Sequence, residues 1–284
     1  MGKIVKGSYS GERPLFGVNA SQIKECRFGI GESALKETRD IEVTSCVFEG
    51  KYPLWYGRGM NVKECIFVES ARAGVWYTKN ASFENIQYGA PKGFRRCKGL
   101  TLRNVIFTIP EETLWWNEGI RLQNVTVHSG TYFGKETIGA DIASLCLNDS
   151  NYAFDGAKNV RIRHSKIISK DAFWNSEDCV LEDCQIEGEY FAWNSKNLTL
   201  IRCHITSLQG FCYIDGLTLI DCTFGEVDRS FEYCSRIDAT IHSPIVSVKN
   251  PISGVIRAKQ IGEIILDDPK IDHSKTEILV DESL

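Results

Sequence analysis

Three stretches of the chain repeat one pattern: Cys179-Val-Leu181-Glu-Asp-Cys184-Gln-Ile186, Leu198-Thr-Leu200-Ile-Arg-Cys203-His-Ile205 and Leu217-Thr-Leu219-Ile-Asp-Cys222-Thr-Phe224. Counting the first residue as position 0, apolar side chains recur at +2 and +7, and cysteine stands at +5. The three +5 cysteines are 19 residues apart, and Ile41-Glu-Val43-Thr-Ser-Cys46-Val-Phe48 is an earlier copy. A period of about 20 residues predicts stacked coils rather than one globule around a centre.

Weaker copies of the pattern extend the repeat over most of the chain. The residues assigned to +5 are Cys26, Cys46, Cys65, Ile86, Val105, Val125, Ser150, Ser165, Cys184, Cys203 and Cys222. The steps on either side of Ser150 are one long and one short, which predicts an inserted loop near 130–144. The +4 residue is often Asn, Asp or Ser, such as Asn124, Asp149 and Asp183. These types tolerate the left-handed backbone conformation that a sharp bend needs.

The spacing inside each unit indicates strands, because positions 0 and +2, like +5 and +7, place alternate side chains inward. Short strands in coils of about 20 residues predict an all-β fold, a single-stranded solenoid of the parallel β-helix type. Leucine-rich repeats share the spacing but require a helical or extended second half, whereas this second half is rich in Trp and Tyr. We expect one domain over 1–284: a cap at 1–20, regular coils at 21–236 and irregular rungs or a cap at 237–284.

Composition limits the possible partners and location. The chain has 284 residues, a net charge of −4 and no basic stripe, which argues against nucleic acid as a partner. The amino terminus lacks the apolar run of a secretory signal, and no apolar stretch is long enough to span a membrane, so we expect a cytoplasmic protein. The eleven cysteines are an odd number, which favours buried free thiols over disulfides. No zinc-type spacing occurs, and the sequence predicts no metal or cofactor.

Aromatic residues recur just before each repeat and define the candidate ligand-binding wall. They include Trp55, Trp76, Trp116, Trp174 and Trp193, and Tyr213 and Tyr233 continue the series. Outward rings would form a platform for sugar rings, and inward rings would fill the core. Asn117, Asn175 and Asn194 directly follow a Trp, so strand alternation predicts that they point to the opposite side. The sequence leaves open which of the two sets faces solvent, so both supply the ligand-binding candidates: Trp116, Asn117, Trp174, Asn175, Trp193, Asn194, Tyr213 and Tyr233.

Acidic residues near this wall are candidate catalytic groups. Glycoside hydrolysis needs two carboxyl groups on either side of the scissile bond. Asp155, Asp215 and Glu232 are the candidates, although acidic residues are also common at turns between strands. No phosphate-binding, serine-hydrolase or zinc-protease motif is present.

Several phrases resemble a bacterial family of uncharacterised proteins, domain-of-unknown-function family 3737. They are Lys51-Tyr-Pro-Leu-Trp55, Phe154-Asp-Gly-Ala-Lys-Asn159, Ser169-Lys-Asp-Ala-Phe-Trp-Asn175, Gly188-Glu-Tyr-Phe-Ala-Trp-Asn-Ser-Lys-Asn197 and Ser247-Val-Lys-Asn-Pro251. The resemblance implies a right-handed, pectin-lyase-like β-helix, and the preference for right-handed parallel crossovers agrees. It implies no activity, and the signatures of polygalacturonases and polysaccharide lyases are missing.

Two functions therefore remain open. An aromatic wall flanked by amides and acids favours binding or processing of an oligo- or polysaccharide, by hydrolysis or elimination if the protein is an enzyme. The missing catalytic signatures favour a non-catalytic scaffold or protein-interaction module.

Overall fold

The computed structural model describes residues 2–284, whose regular structure is parallel β-strand with one short 3-10 turn at His273–Lys275. The chain forms two compact units, the amino-terminal unit (residues 2–149) and the carboxy-terminal unit (residues 150–284). In this described part, no helix is long and apolar enough to cross a bilayer.

Thirteen strands begin in the described part of the amino-terminal unit, and the last of them ends at Asn151, just after the unit boundary. They are β1 (Gly2–Val5), β2 (Ser8–Glu12), β3 (Ser21–Lys24), β4 (Arg27–Glu32), β5 (Arg39–Thr44), β6 (Val47–Phe48), β7 (Arg58–Lys63), β8 (Ile66–Phe67), β9 (Lys79–Tyr88), β10 (Lys98–Phe107), β11 (Glu118–Val127), β12 (Gly130–Thr131) and β13 (Ile138–Asn151).

The carboxy-terminal unit contains ten further strands. They are β14 (Lys158–Arg163), β15 (Lys166–Lys170), β16 (Glu177–Glu182), β17 (Gln185–Phe191), β18 (Lys196–Ile201), β19 (His204–Gly210), β20 (Asp215–Asp228), β21 (Ser235–Lys249), β22 (Gly254–Ile265) and β23 (Thr276–Val280).

Equivalent positions of successive repeats pair in parallel within each unit. Leu102 lies beside Leu122 in the amino-terminal unit, and Leu181 lies beside Leu200 in the carboxy-terminal unit. Each unit is therefore a parallel β-solenoid, and the fold class predicted from the repeat is confirmed. Each coil places its apolar residues directly over the equivalent apolar residues of the preceding coil. This stacking explains why the sequence pattern repeats.

The solenoid core is built from columns of identical side chains. Phe28, Phe48 and Phe67 stack with ring centroids 4.9 and 4.6 Å apart. The +5 cysteines are packed inside, and all eleven cysteines are free thiols. Burial raises the pKa of Cys97 and of Cys222 to about 12, so these thiols stay protonated at neutral pH. They fill space rather than supply a nucleophile.

The insertion predicted at 130–144 is wrong. Ile120 pairs with Ala140 and Val125 with Leu145, so this coil has the same length as its neighbours. The +5 position belongs to Leu145 rather than Ser150, and the left-handed bend lies at Ser144 (φ 56°) rather than at Asp149. The sequence pattern was missed here because Ala140 is a weak apolar signal.

The two predicted end segments differ in regularity. Residues 2–12 form β1 and β2, which pair with β3 and β4, so the expected cap at 1–20 is itself a coil of the solenoid over its described residues. At the other end, Ile237 pairs with Gly254 and Gly254 with Thr276, a short and then a long coil. The prediction of one domain over 1–284 stays a prediction.

Candidate aromatic binding site

The wall that carries the Trp residues is a corner and not a strand. Asp171, Phe173 and Asn175 all have left-handed backbone conformations, with φ of 57°, 60° and 55°. Side chains alternate between two faces only on an extended strand, so the alternation rule fails on this segment. Phe173 fills the core, whereas Trp174 and Asn175 both reach the surface. The prediction that Trp and Asn point to opposite sides is therefore wrong for Asn175 and for Asn194, whereas Asn117 does point inward from Trp116.

Two outward columns run along this corner of the amino-terminal unit. Backbone hydrogen bonds such as Tyr56 N to Trp76 O and Arg96 N to Trp115 O fix their register. The indole column contains Trp55, Trp76, Arg95, Trp115 and Lys135. The rim column, one residue later in each coil, contains Tyr56, Tyr77, Arg96, Trp116 and Glu136. Trp115, and not the predicted Trp116, therefore continues the indole column.

Each indole in this column is held by the next coil. The indole Nε1 atoms of Trp55, Trp76 and Trp115 donate to the carbonyls of Ala73, Lys92 and Tyr132, at 2.6, 2.7 and 2.6 Å. Where Arg replaces Trp, Arg95 Nε donates to the Glu112 carbonyl at 2.9 Å. These bonds satisfy carbonyls that the left-handed corner leaves without a strand partner.

Ring faces in the amino-terminal indole column are covered by their neighbours. Trp55 and Trp76 stack 5.0 Å apart with planes 7° from parallel. The Arg95 guanidinium lies 5.2 Å from the Trp76 ring and 4.2 Å from the Trp115 ring. Cation–π contacts of this kind stabilise the stack. The edges of these rings, rather than their faces, are exposed to solvent here. The column therefore has a structural role, which is to hold successive coils together.

The two predicted ligand-binding residues of the amino-terminal unit, Trp116 and Asn117, lie in different environments. Asn117 is fully buried, its Oδ1 accepts from Cys97 N and its Nδ2 donates to the Phe94 carbonyl, both at 2.8 Å. The prediction that Asn117 binds ligand is therefore wrong. Trp116 reaches the surface, where its indole donates to Glu136 Oε2 at 3.0 Å and its ring lies 4.6 Å from the Arg96 guanidinium.

The same two coil positions carry different residues in the carboxy-terminal unit. Backbone bonds such as Asn175 N to Trp193 O and Tyr213 N to Glu232 O fix the register. The indole column of this unit contains Asp155, Trp174, Trp193, Cys212 and Glu232. The rim column contains Gly156, Asn175, Asn194, Tyr213 and Tyr233.

The aromatic series changes column within this unit because Cys212 replaces an aromatic residue. Trp193 consequently stacks on Tyr213 of the rim column, at 5.1 Å and with planes tilted by 32°. It lies 5.5 Å from Trp174 with a tilt of 36°, and Tyr213 continues to Tyr233 at 5.1 Å. The tilted rings open the series to solvent: Trp193 is 36% exposed and Tyr213 45% exposed.

Trp193 is also chemically different from the other tryptophans. Five of the six indole N–H groups donate hydrogen bonds, including that of Trp174 to the Tyr190 carbonyl at 2.8 Å, but among residues 2–284 the Trp193 N–H has no partner. The equivalent acceptor in the next coil is the Gln209 carbonyl, which receives no hydrogen bond from Trp193; the Ser207 hydroxyl lies 3.1 Å from this carbonyl and 2.7 Å from the Glu189 carbonyl. Trp193 therefore offers an indole edge and a donor to solvent.

An amide ladder runs beside these rings. Asn194 Nδ2 donates to Asn175 Oδ1 at 2.9 Å, and Asn175 Nδ2 donates to Asp155 Oδ1 at 3.1 Å. Both asparagines are exposed. Within the described chain the Asn194 amide oxygen accepts no hydrogen bond. The ladder thus ends next to Trp193 and Tyr213 with an available acceptor.

Two of the three predicted catalytic acids, Asp155 and Glu232, are too far apart to act as a pair. Asp155 and Glu232 occupy the same column four coils apart, about 19 Å at the spacing of β-strands, which exceeds the separation used for glycoside hydrolysis. Glu232 binds Lys249 Nζ at 2.9 Å and also the Gln209 amide. Asp215 binds Arg236 Nε at 2.7 Å, and this hydrogen bond lowers the Asp215 pKa, whereas a general acid needs a raised pKa.

Asp171 is an acid that the sequence analysis missed. It is 3% exposed, and within residues 2–284 its buried Oδ1 has no hydrogen-bond partner. Burial raises its pKa, and the Glu189 carboxylate adds to the rise against the lowering effect of Lys170. The sequence signal was Asp two residues before a core Phe, at a coil position otherwise held by residues such as Tyr152 and Tyr190. No cluster of three or more His, Cys, Asp or Glu in the described part could hold a metal ion.

Comparison with known proteins gives a family but no activity. No curated protein matches the chain. Among solved structures, the A-module of the Azotobacter vinelandii mannuronan C-5 epimerase AlgE4 is 8% identical with a TM-score of 0.39, over 98% of this chain and 88% of that one. The periplasmic alginate epimerase AlgG is 8% identical with a TM-score of 0.30, over 98% of this chain and 74% of that one.

The plasmid-mediated fluoroquinolone resistance protein QnrB1 is 15% identical with a TM-score of 0.23, over 79% of this chain and 92% of that one. Scores this low carry no argument about function. The sequence itself matches one family over residues 3–279, so the chain belongs to the proteins of unknown function grouped as DUF3737.

Proposed function

We propose that the carboxy-terminal unit binds glycan chains through the tilted rings of Trp193 and Tyr213 and the amide ladder beside them, without a catalytic step. The observation that carries this proposal is the open indole of Trp193, which is exposed and has a donor without a partner among residues 2–284. Aromatic rings contact the apolar faces of sugars, and side-chain amides pair with sugar hydroxyls.

The repeat of the solenoid supports a chain-like ligand. Successive rungs are about 4.8 Å apart, so Trp174, Trp193 and Tyr213 repeat one kind of contact along the unit. Asn175 and Asn194 repeat the polar contact beside it. A polymer of similar units is the ligand that such a periodic surface would recognise.

The absence of catalysis in this proposal rests on the state of the acids. Glu232 and Asp215 are each held by a basic partner, and Asp155 is part of the amide ladder. The alternative function is a protein-interaction module, favoured by a shallow groove lined by Leu208, Val227 and Val246, in which Leu208 and Val246 are exposed. The expected cytoplasmic location stays a prediction.

Affinity gel electrophoresis and a glycan array with the full chain test the proposal. We expect Trp193→Ala to weaken glycan retention by about tenfold, as expected for loss of one aromatic contact. Trp76→Ala, the matched change in the amino-terminal indole column, should leave retention unchanged in the folded protein. Retention of no glycan, or equal loss in both variants, would contradict the proposal. A wild-type level of retention in Trp193→Ala would also contradict it.

A further inference from the structure

The charged groups around Trp193 and Tyr213 limit the class of glycan. Three cations of this region are paired with acids. Lys249 Nζ lies 2.9 Å from Glu232, and Arg236 Nε lies 2.7 Å from Asp215. Arg229 Nε lies 3.5 Å from Asp228. Lys196 is close enough to Asp215 to contribute to its lowered pKa, after the larger effect of Arg236.

The acids of the same region are more numerous than the cations. Residues 150–284 carry 21 Asp and Glu against 14 Lys and Arg, a net charge of −7. Asp155 ends the amide ladder, and Asp268 accepts a hydrogen bond from the Tyr233 hydroxyl at 3.1 Å. A polymer with one carboxylate per sugar would meet this negative field and would have to compete with Glu232 for Lys249.

We infer that the glycan recognised at Trp193 and Tyr213 is uncharged rather than a uronate polymer. This inference rests on the proposed function and names its ligand class. The contacts available are an indole N–H, aromatic rings and amide groups, which suit hydroxyl and acetamide substituents. Specificity arises here by a repulsive element, because acids outnumber cations in this unit and Lys249, Arg236 and Arg229 are each paired with an acid of the protein.

Affinity gels test the inference with the full chain in about 0.15 M salt, where long-range charge effects are screened beyond about 8 Å. The probes are neutral hydroxyethyl cellulose, laminarin, mannan and xyloglucan, and the uronate polymers alginate and polygalacturonate. We expect the strongest retention in a neutral gel and a weak, measurable retention in the uronate gels. Stronger retention in a uronate gel, or in a gel of cationic chitosan, would overturn the inference and leave glycan binding in place. Retention in no gel would instead count against glycan binding itself.

A charge substitution gives a second readout. Glu232→Gln removes the acid that holds Lys249, so retention in uronate gels should rise by up to about fivefold, the effect of one exposed ion pair. The matched control is Glu136→Gln in the amino-terminal unit, which makes the same change in net charge without releasing Lys249 and should produce no gain. An equal gain in both variants would show an effect of net charge alone and would contradict the role of Lys249.

Discussion

The indole column serves two different purposes in the two units. In the amino-terminal unit, Trp55, Trp76 and Trp115 each donate to a carbonyl of the next coil, and their faces are covered by rings or guanidinium groups. In the carboxy-terminal unit, Trp193 lacks such a bond among residues 2–284 and is tilted away from both neighbouring rings. Tryptophan in the same coil position therefore holds successive coils together in one unit and is exposed to solvent in the other.

The difference comes from the neighbouring residues and not from Trp itself. The Gln209 carbonyl, which is equivalent to the carbonyls that accept the other indoles, lies 3.1 Å from the Ser207 hydroxyl and receives no bond from Trp193, and Cys212 leaves the next place in the column without a ring. Charge follows the same division, because residues 1–149 sum to +3 and residues 150–284 to −7. An aromatic repeat alone therefore does not identify a binding surface. What identifies it is whether each indole N–H has a hydrogen-bond partner within the protein.

The largest expected difference is in stability after loss of the ring. Trp76→Ala removes stacking on Trp55 and Arg95 and leaves the Lys92 carbonyl without its donor, so the free energy of unfolding should fall by about 3 kcal/mol. Trp193→Ala removes only exposed, tilted ring contacts and should cost about 1 kcal/mol. Urea unfolding followed by circular dichroism measures both. An equal loss of unfolding free energy in the two variants would contradict the distinction between a structural and an exposed tryptophan.

The second test compares two acids that occupy the same coil position. Burial opposes ionisation of Glu112, but hydrogen bonds from Arg95 and Lys92 outweigh it and lower the Glu112 pKa. Glu112→Gln should therefore destabilise the protein by about 2 kcal/mol at pH 7, because Arg95 is left buried without its acid. Asp171→Asn should stabilise it by about 1 kcal/mol, because burial has raised the Asp171 pKa.

The two acids also predict opposite dependence on pH. A lowered pKa contributes stability above the unfolded-state pKa that is lost on acidification, so the cost of Glu112→Gln should fade below about pH 4. A raised pKa contributes stability at low pH that is lost as pH rises through the folded-state value. The benefit of Asp171→Asn should therefore grow from about pH 4 upward. A benefit that is constant with pH would contradict the assignment for Asp171.

The smallest expected effect isolates the indole N–H. Trp76→Phe keeps a ring but deprives the Lys92 carbonyl of its 2.7 Å hydrogen bond, at a cost of about 1 kcal/mol. Trp193→Phe removes an N–H without a partner in the described chain and should change stability by less than about 0.5 kcal/mol. Thermal or urea unfolding of the two variants measures the two changes in stability. A loss for Trp193→Phe as large as that for Trp76→Phe would show that the Trp193 indole N–H does have a hydrogen-bond partner.

The sequence repeat made the coil predictable, because equivalent strands of successive coils pair with each other and their apolar residues must then recur at a fixed spacing. Leu200 and Leu219 fall beside each other in the structure, as their shared offset indicates. The predicted register is wrong only near Ala140, because the small side chain at position 0 gives a weak apolar signal and the pattern then places Ser150, instead of Leu145, at +5.

The corner was not predictable by the same rule. Left-handed residues at Asp171, Phe173 and Asn175 break the two-residue alternation, and two of these three are types for which that conformation is common. Whether an indole N–H has a hydrogen-bond partner depends on one carbonyl in the next coil. For the Trp193 indole this is the carbonyl of Gln209, which lies near the Ser207 hydroxyl. Such contacts arise from the packing of coils and leave no period in the sequence.

Hydrogen exchange of the six indole N–H groups, followed by nitrogen-15 NMR, tests the central claim most directly. We predict that the Trp193 indole exchanges fastest and that its resonance shifts on addition of a bound neutral glycan, while those of Trp76 and Trp174 stay protected. A Trp193 indole as strongly protected as those of Trp76 and Trp174 would contradict the claim that the aromatic series opens to solvent at this residue.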